Sequence, residues 1–316
     1  VDLYVGGAEH AVLHLLYARF WHKMLFDLGY ASTREPFQKL FNQGMIQGFA
    51  FRDRRGMIVG PDQVDERGED EFALKGNGEP VARIIAKMSK SLKNVVNPDE
   101  IIGQYGADTF RLYEMFMGPL DASKPWNTRD VPGLYKLCQR IWRLFVDEET
   151  NMVSPALVDD PPDRDSQRAL HKLVQRVTQH IELLKFNTAI AAIFDFVNAV
   201  TPLARRPRAV LEPFVLALAP FVPHLAEELW SRLGHSDTLA YAPWPAYDEA
   251  LARDDEIEIA LQVCGKIKSR ITIPADADEK ILEAAALADE KIVAAVAGKT
   301  VRKIIVVKGR LVNVIV

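Results

Sequence analysis

Cysteine is nearly absent from the sequence. Cys138 and Cys264 stand far apart and outside any Cys-x-x-Cys spacing, which excludes a disulfide framework and a thiolate zinc site. No apolar run approaches the ~20 residues that a membrane span needs, and Val1 to His10 lack the basic-then-apolar order of a signal peptide. A soluble, cytoplasmic protein with no membrane partner and no metal ligated by its own side chains is expected. Internal repeats and low-complexity tracts are missing too. So is an initiator Met, and because Val1 to Val5 reads as mid-strand, a piece of a longer chain is expected. What is present is ample core material: the 316 residues are 48% apolar and 26% charged, enough for two or three domains.

Charge is unevenly placed. The net charge is −4, yet residues 257 to 316 carry ten Lys/Arg against seven Asp/Glu, and no acid follows Ala295 while Lys299, Arg302, Lys303, Lys308 and Arg310 do. Such a basic end suits a polyanion, although solvated strand faces would account for it equally well.

Three regimes follow one another. In the first, residues 1 to 128, a strand at Asp2 to Val5 breaks at Gly6-Gly7. A long helix, Ala8 to Leu28, follows; it is apolar on most faces and therefore expected to be buried in an α/β layer. Residues 52 to 80, rich in charge, Gly and Pro, read as an exposed insertion or an irregular connector before a strand at Val81 to Ala86. In the second, residues 129 to 253, helices are predicted at Tyr135 to Val146, Ser166 to Leu184, Thr188 to Val200, Ala209 to Leu218 and His224 to Leu233, an all-α bundle. In the third, residues 254 to 316, strict alternation from Ile257 through Val263 and from Ile267 to Ile273 makes a hairpin about Gly265. A helix from Asp276 or Asp278 to Ala297 and a second hairpin, Val301 to Val307 with Leu311 to Val316, complete a ββαββ module of α+β class.

Chemistry concentrates at Lys87-Met88-Ser89-Lys90-Ser91, just after a strand. Two ammonium groups three residues apart with hydroxyls between them suit the grip of nucleotide phosphates as charge builds on departing pyrophosphate, although a short Lys/Ser run is usually just an exposed loop. Asn97-Pro98-Asp99-Glu100 starts a helix, and Asp108 with Arg111 reads either as an intrahelical pair or as support for the lysine loop, which we favour. Near the start, Gly6 and Gly7 would let backbone approach a flat ligand such as adenosine. Glu9 and His10 could address a ribose or a bound amino acid, though a lone histidine on a buried helix is more often a satisfied core group.

These strings together resemble the class I aminoacyl-tRNA synthetases. Lys87 to Ser91 is identical to their second signature, and Tyr105-Gly106-Ala107-Asp108 with Arg111 resembles the segment that follows it. Gly6-Gly7-x-Glu9-His10, the string His14 to Phe20, and Phe41-Asn42-Gln43-Gly44-Met45 resemble the bacterial leucyl type more than the isoleucyl, valyl or methionyl types, and the likeness runs through the bundle and the final module.

The resemblance implies the second half of a Rossmann-like catalytic domain over 1–128, an anticodon-binding-type bundle over 129–253 and a tRNA-binding module over 254–316. It also implies ATP, Mg²⁺, leucine and tRNA(Leu) as ligands. Lys87 and Lys90 would stabilise the pyrophosphate leaving group, with Met88, Ser89 and Ser91 beside them. Gly6, Gly7, Glu9, His10 and Gln43 would line the adenosine and amino-acid side, and Lys266, Lys268, Lys299, Arg302, Lys303, Lys308 and Arg310 would face tRNA. The family's other signature, His-x-Gly-His, and its editing insertion do not occur, so an N-terminal half is expected as a separate chain or missing segment, and the isolated chain is expected to be inactive. The alternative is a stand-alone RNA-binding protein derived from a synthetase.

Overall fold

The chain enters through a short parallel pair, β1 (Tyr4–Val5) beside β2 (Leu40–Phe41). Between them the expected helix changes pitch: a 3₁₀ turn (Ala8–His10) and a π turn (Ala11–Leu15) precede α1 (Leu16–Asp27). Contrary to the expected burial, Leu13, Leu16, Tyr17, Phe20 and Trp21 are exposed, as is Val12 at 77%, and of this segment only Leu15 is buried. Two-residue strands are too short to cover a helix of this length. The computed structural model describes residues 1–68, 70–254, 256–307 and 309–316, and no helix among them is long and apolar enough to cross a membrane.

Residues 46 to 125 then build a six-stranded sheet from β3 (Ile46–Arg52), β4 (Ile58–Val59), β5 (Val64–Gly68), β6 (Glu71–Leu74), β7 (Pro80–Lys87) and β8 (Lys124–Pro125). The order β4-β3-β7-β6-β5 is antiparallel throughout, with β8 joining β3 in parallel. Residues 52 to 80 therefore carry three strands of this sheet, β4, β5 and β6, and are not an irregular connector. Their short apolar runs suffice because Phe51, Val59 and Val81 bury a small core with Val64, Phe72 and Leu74.

Helices α2 (Pro98–Tyr105) and α3 (Ala107–Phe116) lead into the bundle: α4 (Val131–Phe145), α5 (Arg164–Glu182), α6 (Phe186–Val200), α7 (Arg208–Leu218) and α8 (Pro223–Arg232). Their starts are written locally: Asn97 and Asp163 accept hydrogen bonds from the first-turn amides of α2 and α5, and Pro98 and Pro223 occupy first-turn positions that need no N–H. Between α4 and α5 runs β9 (Leu157–Val158), paired in parallel with β10 (Arg206–Pro207). One core runs from Ile101 to Leu239, and Leu112, Ile141, Ile193, Phe214 and Leu229 are almost wholly buried within it. The compact unit Val1–Tyr247 holds all of these elements.

Asp248–Val316 is a second unit, with α9 (Glu249–Ala252) followed by β11 (Glu256–Val263), β12 (Lys266–Pro274), α10 (Glu279–Ala288), α11 (Glu290–Val296), β13 (Lys303–Val307) and β14 (Leu311–Ile315). The two hairpins form one sheet, β12-β11-β14-β13. Cys264 and Gly265 both take positive φ, +47° and +80°, which is what a two-residue hairpin loop requires. The single expected helix is broken at Asp289, whose carboxylate accepts from Lys291 N, Ile292 N and Ser269 Oγ and so starts a new helix in place of continuing the old one.

Period-two spacing would put Arg302, Lys308 and Arg310 on one strand face, and the structure differs. Arg302 precedes β13 and Arg310 lies in the turn before β14, at opposite ends of the hairpin, so they do not share a strand face. Lys308 lies outside the described residues. Lys266 and Lys303 sit on opposite edge strands but at the same end of the sheet.

Phe214 is fully buried, with its ring 4.6 Å from that of Phe196 and 6.4 Å from that of Phe145. Phe214→Ala should destabilise the first unit by about 3–5 kcal/mol, read as a lower denaturant midpoint with little change in slope.

Candidate functional site

Strand β7 delivers Lys87 opposite Gln47 of β3, and the chain then leaves the sheet. Met88 is half-buried against the main core, while Lys87, Lys90 and Ser91 are exposed. Ser89 opens a 3₁₀ turn, Lys90–Leu92: its Oγ accepts from Leu92 N at 3.3 Å and lies 3.1 Å from Ser91 Oγ. Lys93 takes the left-handed region at φ 52°, which turns the chain back so that Asn94 enters the interior. Asn94 accepts from Ser89 N at 2.9 Å and donates to Lys87 O at 3.4 Å. Among the described residues neither Lys87 nor Lys90 has an ion-pair partner, so both ammonium groups face solvent from a loop fixed at its base. Nothing in the pentapeptide itself pointed to Asn94; the only signal was a polar residue set against Val95-Val96.

The second group of candidates gathers at the ends of β1 and β2. Gly6 N donates to Phe41 O at 3.1 Å, which sets Gly6 and Gly7 beside the segment leading to Gln43. Gly7 is buried with extended backbone, and the Glu9 carboxylate folds over it into the space a side chain would take. Glu9, His10 and Gln43 are exposed, and the His10 and His14 rings meet edge-on at 6.4 Å. Gln43 lies four residues before Gln47, the pairing partner of Lys87, so both groups belong to the same end of β3. Among the described residues no hydrogen bond or ion pair joins the two groups, and no three His, Cys, Asp or Glu residues gather to hold a metal. Arg19 makes two 2.7 Å hydrogen bonds to Glu35, and this guanidinium holds the Glu35 carboxyl at about 2 while tying α1 to the segment before β2.

Asp108 and Arg111 neither pair with each other nor touch the lysine loop. Asp108, 13% exposed at its side chain, reaches across to the start of α8, accepting from Leu225 N at 2.7 Å and meeting His224 Nδ1 at 2.8 Å. Val222, the residue before α8, has no side chain able to cap it, so Asp108 supplies the acceptor from another helix. Arg111 donates to Pro220 O at 3.0 Å. Both residues therefore fasten α3 to the α7–α8 turn.

Comparison with known proteins agrees with this layout. Residues 83–123, which contain the lysine loop and α3, match the family described as tRNA synthetases class I (I, L, M and V), and residues 163–283 match the anticodon-binding domain of tRNA ligase. The fold and the loop together are those of a class I aminoacyl-tRNA synthetase. Leucine--tRNA ligases of Mycobacterium marinum and Nocardia farcinica are each 53% identical over all of this chain, which spans 33% of their length. A solved LeuRS of Agrobacterium radiobacter K84, in a ternary complex with tRNA and LeuAMS, superposes with a TM-score of 0.66 at 29% identity, covering the whole chain and 37% of that protein. The chain belongs to the leucine--tRNA ligase family and corresponds to about a third of its relatives' length.

Replacing Asp108 with Ala removes the acceptor for two first-turn amides of α8 and should cost about 1–2 kcal/mol in urea unfolding. Asp108→Asn, which keeps an acceptor oxygen, should cost less. Equal stability of both variants with the parent would show that α8 is capped another way.

Proposed function

We propose that this chain serves ATP-dependent activation of leucine and its transfer to tRNA(Leu), supplying the lysine loop and the tRNA-binding parts of the enzyme. The observation that carries the reading is the pair of exposed, unpaired ammonium groups of Lys87 and Lys90 on an anchored loop, inside a chain similar over its whole length to leucine--tRNA ligases. The leucine carboxylate displaces pyrophosphate from the α-phosphorus of ATP to give leucyl-adenylate; the terminal ribose hydroxyl of tRNA then displaces AMP. Neither step needs a protein nucleophile, so positioning and charge stabilisation supply the rate. Lys87 and Lys90 meet the leaving pyrophosphate, with Met88, Ser89 and Ser91 shaping the loop. Gly6, Gly7, Glu9, His10 and Gln43 line the adenosine and leucine side, and Mg²⁺ enters with the ATP phosphates as part of the substrate.

In this reading residues 1–128 are the second half of a Rossmann-like catalytic domain, 129–253 the helical domain and 254–316 the tRNA-binding module, in a cytoplasmic enzyme. The exposed apolar face of the segment from Val12 to Trp21 is the surface that an N-terminal half would cover. A stand-alone RNA-binding role is disfavoured because the likeness runs through the lysine loop as well as the bundle.

Leucine-dependent ATP–pyrophosphate exchange is the test. The chain alone should show none. Together with the N-terminal half it should be active, and Lys90→Ala should then lower the rate by about 10²-fold, the scale for losing one preorganised charge donor, with a smaller change in the KM for ATP. An unchanged rate in Lys90→Ala would remove the loop from the reaction.

For the basic module, Lys266, Lys268, Arg302 and Lys303 at one end of the sheet, with Lys299 before β13 and Arg310 in the turn at the other end, would meet the tRNA backbone together with Lys308. The module has no Phe, Tyr or Trp to stack on bases. Arg302→Glu combined with Arg310→Glu should weaken tRNA binding and flatten its salt dependence, by about one unit of log–log slope for each phosphate left unneutralised, while leucine activation persists. Loss of activation with tRNA affinity intact would contradict this assignment.

A further inference from the structure

Asn94 is one of the few polar side chains in the interior, 4% exposed, and both ends of its amide are in use. Ser89 offers an N–H and Lys87 a carbonyl, so the oxygen must face the first and the nitrogen the second; the network itself fixes the orientation. The two bonds straddle Met88, holding the peptide on each side of it, while the Met88 side chain packs into the core. Behind Asn94 stands Gly48 of β3, where an added Cβ would lie 2.6 Å from Asn94 O and 3.0 Å from its Nδ2. The strand backbone can press against Asn94 only because that position has no side chain.

An apolar residue would fill the same interior space without the need to satisfy four polar bonds, so packing alone does not explain an amide here. What the amide adds is a clasp closing the loop at its base. We infer that Asn94 is a positioning residue for the reaction, acting through the backbone of Lys87 and Ser89 to set where the two ammonium groups stand. The inference rests on the function proposed above for those lysines. It makes Lys87, whose own carbonyl is held, the fixed member of the pair, and leaves Lys90, on the 3₁₀ turn beyond the clasp, free to follow the phosphates.

Exchange kinetics of the chain with its N-terminal half, in a cycle of Asn94→Ala, Lys87→Ala and the double variant, test this. Asn94→Ala should lower kcat by about 10-fold or more with the KM for leucine within about twofold, and should cost less than about twofold further in the Lys87→Ala background, because its effect passes through the ammonium group that the clasp positions. A residue with a merely structural role would lose the same factor in both backgrounds, and that result, or an unchanged kcat in Asn94→Ala, overturns the proposal. Where Asn94→Ala does not fold, Asn94→Leu decides: it is close to asparagine in shape, removes both hydrogen bonds without adding a charge, and should show a similar loss with the same non-additivity. Limited trypsin digestion of the chain alone gives a second readout. Cleavage after Lys87 and Lys90 should accelerate in Asn94→Ala while sites in the bundle keep their rates, and no acceleration would mean that the clasp does not order the loop. If Lys90→Ala alone leaves exchange unchanged, the proposed function fails; the tryptic pattern still decides whether Asn94 orders the loop.

Discussion

Helix α3 is the piece on which the rest of the first unit depends, because it is held by two polar contacts that no local rule provides. Asp108 gives α8 the carboxylate that its own preceding residue, Val222, cannot, and Arg111 holds the carbonyl of Pro220 just before that helix. Just beyond these ties Leu112 and Tyr113 are buried, and Tyr113 Oη donates to Asn127 O at 2.9 Å, pinning the segment that follows β8. Met88, Val96, Ile101, Tyr105 and Phe110 pack into the same core as the bundle helices. The lysine loop is thus built on a platform most of whose apolar mass lies beyond residue 128. Loss of bundle packing would be felt at the loop as well as in the helices, since closely packed interiors transmit displacement and do not absorb it.

What the sequence disclosed follows from where burial leaves a period. The module's strands are covered by helices on one face, so Ile259, Leu261 and Val263 are buried and alternate with more exposed neighbours, and the pattern was plain. The bundle helices likewise repeat apolar residues on one side. Residues 52 to 80 carry no such period, because strands as short as Ile58–Val59 and Glu71–Leu74 cannot display one, and their charge and glycine content outweighed the few apolar residues. The misreading of the first helix has a different cause. Apolar composition states that a surface needs cover but not whether the neighbours present provide it, and Val12, Leu16 and Phe20 stand uncovered.

The candidate site divides in the same way. The lysine loop was legible because its chemistry lies in five consecutive residues. Asp108 and Arg111 read as support for the lysine loop in preference to a local pair, and they do neither: their partners lie more than a hundred residues away, at and just before the start of α8, where nothing in the local spacing points. Asn94 was passed over because a single buried amide has no sequence signature. Only the fold, which sets Gly48 against it, reveals that the amide is enclosed.

The electrostatics of the first unit sharpen the contrast between structural and reactive cations. Arg83 is paired with Asp70 and stacked between Phe49 and Phe72, with its guanidinium 4.6 and 4.9 Å from the ring centroids, and Arg129 is paired with Glu66. Those charges are already answered by neighbours, and a phosphate could recruit them only by breaking an existing interaction. Lys87 and Lys90 have no ion pair among the described residues, so in the proposed reaction their attraction for a developing pyrophosphate is offset by no competing carboxylate. An exposed ammonium gives up some hydration when it binds phosphate, and the entropy of ordering its long side chain is the remaining cost. A clasp that fixes the backbone at Lys87 and Ser89 confines that disorder to the side chains, so less freedom remains to be lost as the leaving group forms, and the binding energy of the two charges is available to the transition state.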